Sequence, residues 1–261
     1  MVRTSIAARF AFALLAVVAA AAPAAAGLPL MAEHVDASRL PPPYGIGITV
    51  YGQSQPYAVD QLSVNVPGFA NIPTDAIAIE NSLREQNVKL DLWLFPFLNL
   101  FGLIGHLEGD TSVNLTRVPL PVSLGTVDIN YHGTVYGAGA TLAAGSDRWF
   151  GSLTTIYTNT DLKGDFDSTA TAFVVTPKIG LTSPRGSAWI GAMYQRTDEH
   201  HRGDITLPFL GSVGFDVKLR QKNAWNGVLG MESALTDHWH LELEGGVGSR
   251  MSASVGLTYR F

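Results

Sequence analysis

Along the last stretch of the chain, apolar and polar residues alternate with a period of two. Met251, Ala253, Val255, Leu257, Tyr259 and Phe261 take the odd positions, and Ser252, Ser254, Gly256, Thr258 and Arg260 the even ones. Successive strand side chains point to opposite faces, so the pattern predicts a strand with one wholly apolar face. Reading backwards, His240, Glu242, Glu244 and Gly246 alternate with Leu241, Leu243, Gly245 and Val247. Two glutamates on one face of such a strand would be costly in a dry core and natural in a wet one. The same period predicts strands near 223–235, 188–197, 169–181, 148–160, 131–143, 98–108, 83–94 and 44–53. That makes ten strands, and further hairpins within 54–66 or 204–220 would raise the number to twelve.

The connections between these strands alternate in length. Those at 95–97, 145–147, 183–186 and 236–238 are short; those at 54–82, 109–130 and 198–222 are long, with lesser members at 161–168 and 248–250. An even strand count with short turns on one side and longer loops on the other is the pattern of an antiparallel transmembrane β-barrel. In that architecture both termini fall on the periplasmic, short-turn side. A soluble two-sheet sandwich gives no reason for the alternation. Pro177 lies inside one strand and lacks the N–H that a closed wall needs, so a bulge is expected there.

A final alternating strand that ends in Phe, with Tyr two residues earlier, resembles the closing strand of Gram-negative outer-membrane β-barrels. The resemblance rests on Val255, Leu257, Tyr259 and Phe261. It implies a chain embedded in outer-membrane lipid whose terminal aromatic is part of the signal read by the barrel-assembly machinery. It identifies a superfamily and not one member of it.

The start of the chain agrees with export. Arg3 and Arg9 precede an unbroken apolar run from Phe10 to Ala22, followed by Pro23 and the small residues Ala24, Ala25 and Ala26. Basic flank, short apolar core and small-residue exit predict a cleavable signal peptide over 1–26. The run is shorter than the roughly 20 residues that a spanning helix needs. Residues 27–42 are then a periplasmic N-terminal segment and 43–261 the barrel. The other long apolar stretch, Leu90 to Leu107, contains Pro96, which a helix interior would carry at a cost of about 3 kcal/mol.

Composition narrows the chemistry. The chain has 17 Lys+Arg against 22 Asp+Glu, and losing Arg3 and Arg9 with the leader widens the acidic excess. That balance excludes nucleic acid as a partner, since phosphates demand a basic footprint. The absence of cysteine excludes disulfides and thiolate-held metals. No cofactor and no metal site is predicted.

Strand parity sends Lys89, Asp91, His106, Glu108, Lys178, His240, Glu242, Glu244 and Arg260 into the lumen. They could line a path for small solutes or pair with one another as a plug, because barrels of about eight strands are filled by their own side chains. The spacing of Glu242 and Glu244 puts two carboxylates on one face, but no cleft identifies them as an acid/base pair. Asp198-Glu199-His200-His201-Arg202-Gly203-Asp204 could hold a general base or a metal, although local clustering is weak evidence for either. Some ten-stranded outer-membrane barrels are proteases and some smaller ones deacylate lipids; this segment matches neither in spacing. Tyr44, Trp93, Phe95, Phe97, Trp149, Trp189, Trp239, Tyr259 and Phe261 cluster near the short turns, as an interface girdle would. Ranked by these features, the expected functions are a pore-like or structural barrel, then a surface interaction protein acting through loops 54–82, 109–130 and 198–222, and last a hydrolase using His200 and His201.

Overall fold

The computed structural model describes residues 27–35, 40, 42–64, 77–117, 125–164, 167–207 and 211–261. The expected signal peptide lies outside them. After a short 3-10 turn at Ala32–His34 the described chain is all β: β1 Tyr44–Val64, β2 Ala78–Phe95, β3 Leu98–Asn114, β4 Thr126–Gly145, β5 Trp149–Gly164, β6 Asp167–Ser183, β7 Gly186–Leu207, β8 Gly211–Gln221, β9 Trp225–Ala234, β10 Trp239–Gly248 and β11 Met251–Arg260. Every pairing is antiparallel, and β1 pairs with β11, so the sheet closes on itself. Tyr44 and Phe261 exchange backbone hydrogen bonds of 3.2 and 3.0 Å at the seam. The four short turns share this rim with the start of β1 and the end of β11; it is called the terminal rim below, and its opposite the distal rim.

The eleven strands make ten staves. β8 and β9 both pair with β7, one above the other, and are the two halves of a single stave broken at 222–224. Beyond the break, β8 leaves its course and pairs with β1 from Tyr57 to Val64, passing over the short β10–β11 hairpin. The wall is therefore ten-stranded toward the terminal rim and eight-stranded toward the distal rim.

Much of what reads as loop is strand. β1 runs on to Val64, β3 to Asn114 and β7 to Leu207, and β4 starts at Thr126, so the connections shrink to 65–77, 115–125 and 208–210. The cause lies in the phase of the apolar positions. In β4 the outward residues near the terminal rim are Leu142, Ala140, Ala138 and Tyr136, whereas farther on the outward ones are Thr134, His132 and Asp128 and the apolar Val135 turns inward. β2 does the same, with Leu92, Leu90 and Val88 outward but Ile79 and Ile77 inward. The alternation persists while its sense reverses, and the charged stretch at the changeover imitates a loop.

Two halves result. Toward the terminal rim the outer surface is an apolar belt in which Ile190 is 67% and Met251 71% exposed. A continuous exposed belt of this kind suits lipid and would aggregate in water. Toward the distal rim the outward side chains described are mostly polar, and the interior packs Tyr57, Val59, Ile77 and Ile79, of which Tyr57 is 2% exposed, beside the hydrogen-bonded Asn81 and Thr111. An eight-stranded ring is just wide enough to be filled by its own side chains.

Two expectations need correction here. Pro177 sits in no bulge: the β6–β7 ladder omits the pairs at Thr176 and Pro177 and resumes from Val175–Tyr194 to Lys178–Gly191 in the same register. Pro177 faces outward, and the β5–β6 ladder passes through it unbroken at Leu153–Pro177. Trp189 does not belong to the girdle. It is buried and points inward, because its neighbours in phase are the inward Gly191 and Gln195 rather than the outward Ile190. A second aromatic row, invisible as such in the sequence, runs along the far edge of the belt through Tyr136, Tyr157, Phe173 and Trp225.

Candidate functional site

Among the described residues, a group of ionisable side chains converges in the interior of the ten-stranded half. β2, β6, β10 and β11 present Asp91, Lys89, Lys178, His240, Glu242, Glu244 and Arg260 to it, through the cross-strand pairs that fix each strand's parity. His106 and Glu108 are not among them. They stand on the outer face of β3 with 56% and 73% of their side chains exposed, 3.5 Å apart, and His106 lies beside the His132 ring. β3 carries Leu100, Phe101, Leu103 and Ile104 on both faces, so its parity cannot be read from hydrophobicity alone.

At the terminal rim Arg260 Nη1 donates to Asp91 Oδ1 at 3.0 Å, and Asn99 Nδ2 donates to the same oxygen at 2.8 Å. The Asp91 side chain is fully buried, so the pair works at low dielectric. Deeper in, Lys178 Nζ lies 2.5 Å from Glu244 Oε2, which also accepts from Trp189 Nε1 at 2.8 Å. The Lys178 ammonium stands 4.7 Å from the centre of the Trp189 ring, a cation–π contact that holds base and ring together. Trp189 can reach Glu244 because it lies over Gly230, where a Cβ would fall 2.6 Å from the ring.

A third group pairs His240 Nδ1 with Glu232 Oε1 at 2.8 Å. Glu242 faces Glu232 directly across the β9–β10 ladder. Lys89 Nζ stands 5.6 Å from the centre of the Phe101 ring, and Glu85 Oε1 accepts from Asn87 Nδ2 at 2.8 Å. Glu85, Glu232 and Arg250 were missed as interior residues. Glu232 had a legible signal: it is the lone acid in a strand whose other face carries Trp225, Leu229 and Met231.

Chemically, three of the carboxylates are paired: Asp91 with Arg260, Glu244 with Lys178 and Glu232 with His240. The acceptors are occupied by Arg260, Lys178 and His240, and among the described residues no three His, Asp or Glu side chains are grouped to hold a metal ion. His200 and His201 fall in β7 opposite Thr169 and Ser168, with their side chains outside the described residues.

No family model and no curated protein sequence matches the chain. Solved structures do resemble it. The outer membrane protein OprG from Pseudomonas aeruginosa superposes with a TM-score of 0.50 at 7% identity, over 87% of this chain and 100% of that one. The outer membrane protease OmpT from Escherichia coli gives 0.48 at 8% identity, over 85% and 97%. The translocator domain of the autotransporter NalP from Neisseria meningitidis gives 0.43 at 12%, over 94% and 98%. At such identities the likeness concerns the fold alone, a closed antiparallel β-barrel.

Proposed function

We propose that this chain is an outer-membrane barrel with a transport role for small polar solutes. The supporting observation is the inward array of Asp91, Lys178, Glu244, His240 and Arg260, set in the wider, ten-stranded half. Charges held in opposite-sign pairs offer hydrogen-bonding partners to a passing solute without a strong net field. In this reading the apolar belt lies in lipid, the terminal rim faces the periplasm, and residues 1–26 are removed before Gly27. Phe261, stacked on Tyr44 and Tyr259 at the seam, is the residue presented to the barrel-assembly machinery.

The test is solute flux in liposomes carrying the refolded barrel. Sugar- and amino-acid-sized solutes should cross faster than in protein-free liposomes, and Lys178→Glu should shift the preference toward cations. Liposomes as tight as protein-free ones would overturn the transport reading. One observation favours a second reading, a closed barrel with a structural role: the interior of the distal half is filled by Tyr57, Val59, Ile77 and Ile79. That reading expects no flux from the native chain and flux only after the core is thinned, for instance by Ile77→Ala with Ile79→Ala.

A further inference from the structure

The wall changes from ten strands to eight at one place, and a buried arginine stands there. β11 leaves β1 at Ser54–Met251, and β8 joins it at Tyr57–Gln221. On the other side β7 passes from β9 at Tyr194–Trp225 to β8 at Glu199–Leu219. The tip of the β10–β11 hairpin fills the interval, with Arg250 turned inward and 2% exposed.

The partners of Arg250 are weak. Nη1 donates to Gln55 Oε1 at a long 3.4 Å, and Nη2 reaches only the Met193 sulfur at 3.1 Å, a poor acceptor. Nε has no partner. Lys178 and Arg260 each have a carboxylate in the interior, whereas Arg250 forms no ion pair among the described residues. Beside it Asn226 accepts from the Arg250 backbone N–H at 3.3 Å and leaves its own Nδ2 without an acceptor. Glycines at 246 and 248 make the space for that side chain, since a Cβ would stand 2.8 Å from Nδ2 or 2.7 Å from Oδ1.

A guanidinium taken out of water without a counter-charge is strongly disfavoured, and the one other unpaired group shown beside it, Asn226 Nδ2, is a donor too. Such a constellation lacks one component, an anionic acceptor. We infer that Arg250 and Asn226 hold a small oxyanion, a carboxylate or a phosphate, at the junction of the two halves. The planar fork of arginine matches both groups. The site does not depend on the transport reading, because it binds whether or not solutes pass.

The experiment is thermal unfolding of the refolded full-length barrel in detergent, titrated separately with sodium acetate and with inorganic phosphate. Each is compared with sodium chloride at matched ionic strength. Acetate or phosphate should raise the melting temperature beyond chloride with saturation, as a ligand of the folded state does, and the better of the two identifies the group. Arg250→Gln should remove that excess. No excess in the native chain, or an excess that survives Arg250→Gln, overturns the inference. Should Arg250→Gln fail to refold, Asn226→Ala takes its place. It should raise the half-saturating concentration roughly tenfold, the worth of one charge-assisted hydrogen bond, and an unchanged value overturns the inference equally. A barrel that binds the anion and passes no solute overturns only the transport reading.

Discussion

Asp91 takes both of its hydrogen bonds, from Arg260 and Asn99, on Oδ1, while Oδ2 has no partner and lies 2.4 Å from where a Cβ on residue 45 would stand. Gly45 is thus the residue that lets the carboxylate sit against β1 and meet the arginine of the closing strand. Breaking a buried pair by removing one member costs about 3–5 kcal/mol, because the other charge is left uncompensated. Asp91→Ala should lose stability on that order in urea unfolding, and Gly45→Ala should lose part of it by pushing the carboxylate off Arg260. Unchanged midpoints in both variants would mean that the pair adds nothing to the seam. Asp91 and Arg260 were legible in the sequence as interior residues, since each is a charge in phase with the polar face of a clearly alternating strand. Arg250 was not, because it falls in a turn between strands, where parity says nothing about direction.

Strand existence followed from the period of two, but strand ends did not. β2 shows why: Leu92, Leu90 and Val88 are outward and Ile79 and Ile77 inward, with Glu80, Asn81, Arg84 and Glu85 between them. A polar run with an apolar phase on each side looks like two elements and a loop, although the pairing with β1 is continuous from Tyr44–Leu92 to Tyr57–Ile79. The break at 222–224 was hidden for a different reason: a stave that changes neighbours leaves no local trace in composition. Pro177 had a trace, but its consequence is a gap in one ladder and not an extra residue. Backbone amides without a ladder partner open at lower free energy. The amide of Ala192, which points to the gap while that of Met193 turns to β9, should therefore exchange hydrogen faster than the rest of the stretch of β7 paired with β9. Uniform protection through Tyr194 would show that the ladder closes despite the proline.

At the scale of the whole molecule, ten staves surround a charged interior and eight surround a mostly apolar one. The two halves solve opposite problems. In the first, Ile190 and Leu142 stand exposed on the outside, and ion pairs neutralise charge on the inside. In the second, water meets His132 and Asp128 on the outside and an apolar core forms around Tyr57 and Ile79. The fold class was legible because the period of two recurs over most of the chain and survives errors in each boundary. The narrowing was not, because it depends on which strand β8 pairs with. Since the chain has no native cysteine, single cysteines can report on the changeover directly. Leu142→Cys, Ala140→Cys, Ala138→Cys, Thr134→Cys, His132→Cys and Asp128→Cys all fall on the outward positions of β4. With the barrel in lipid bilayers and a membrane-impermeant maleimide as the probe, labelling should be slow at 138, 140 and 142 and fast at 134, 132 and 128, with the step at Tyr136. Fast labelling at all six positions, or a step at any other place along the strand, would contradict the division into a lipid-facing and a water-facing half.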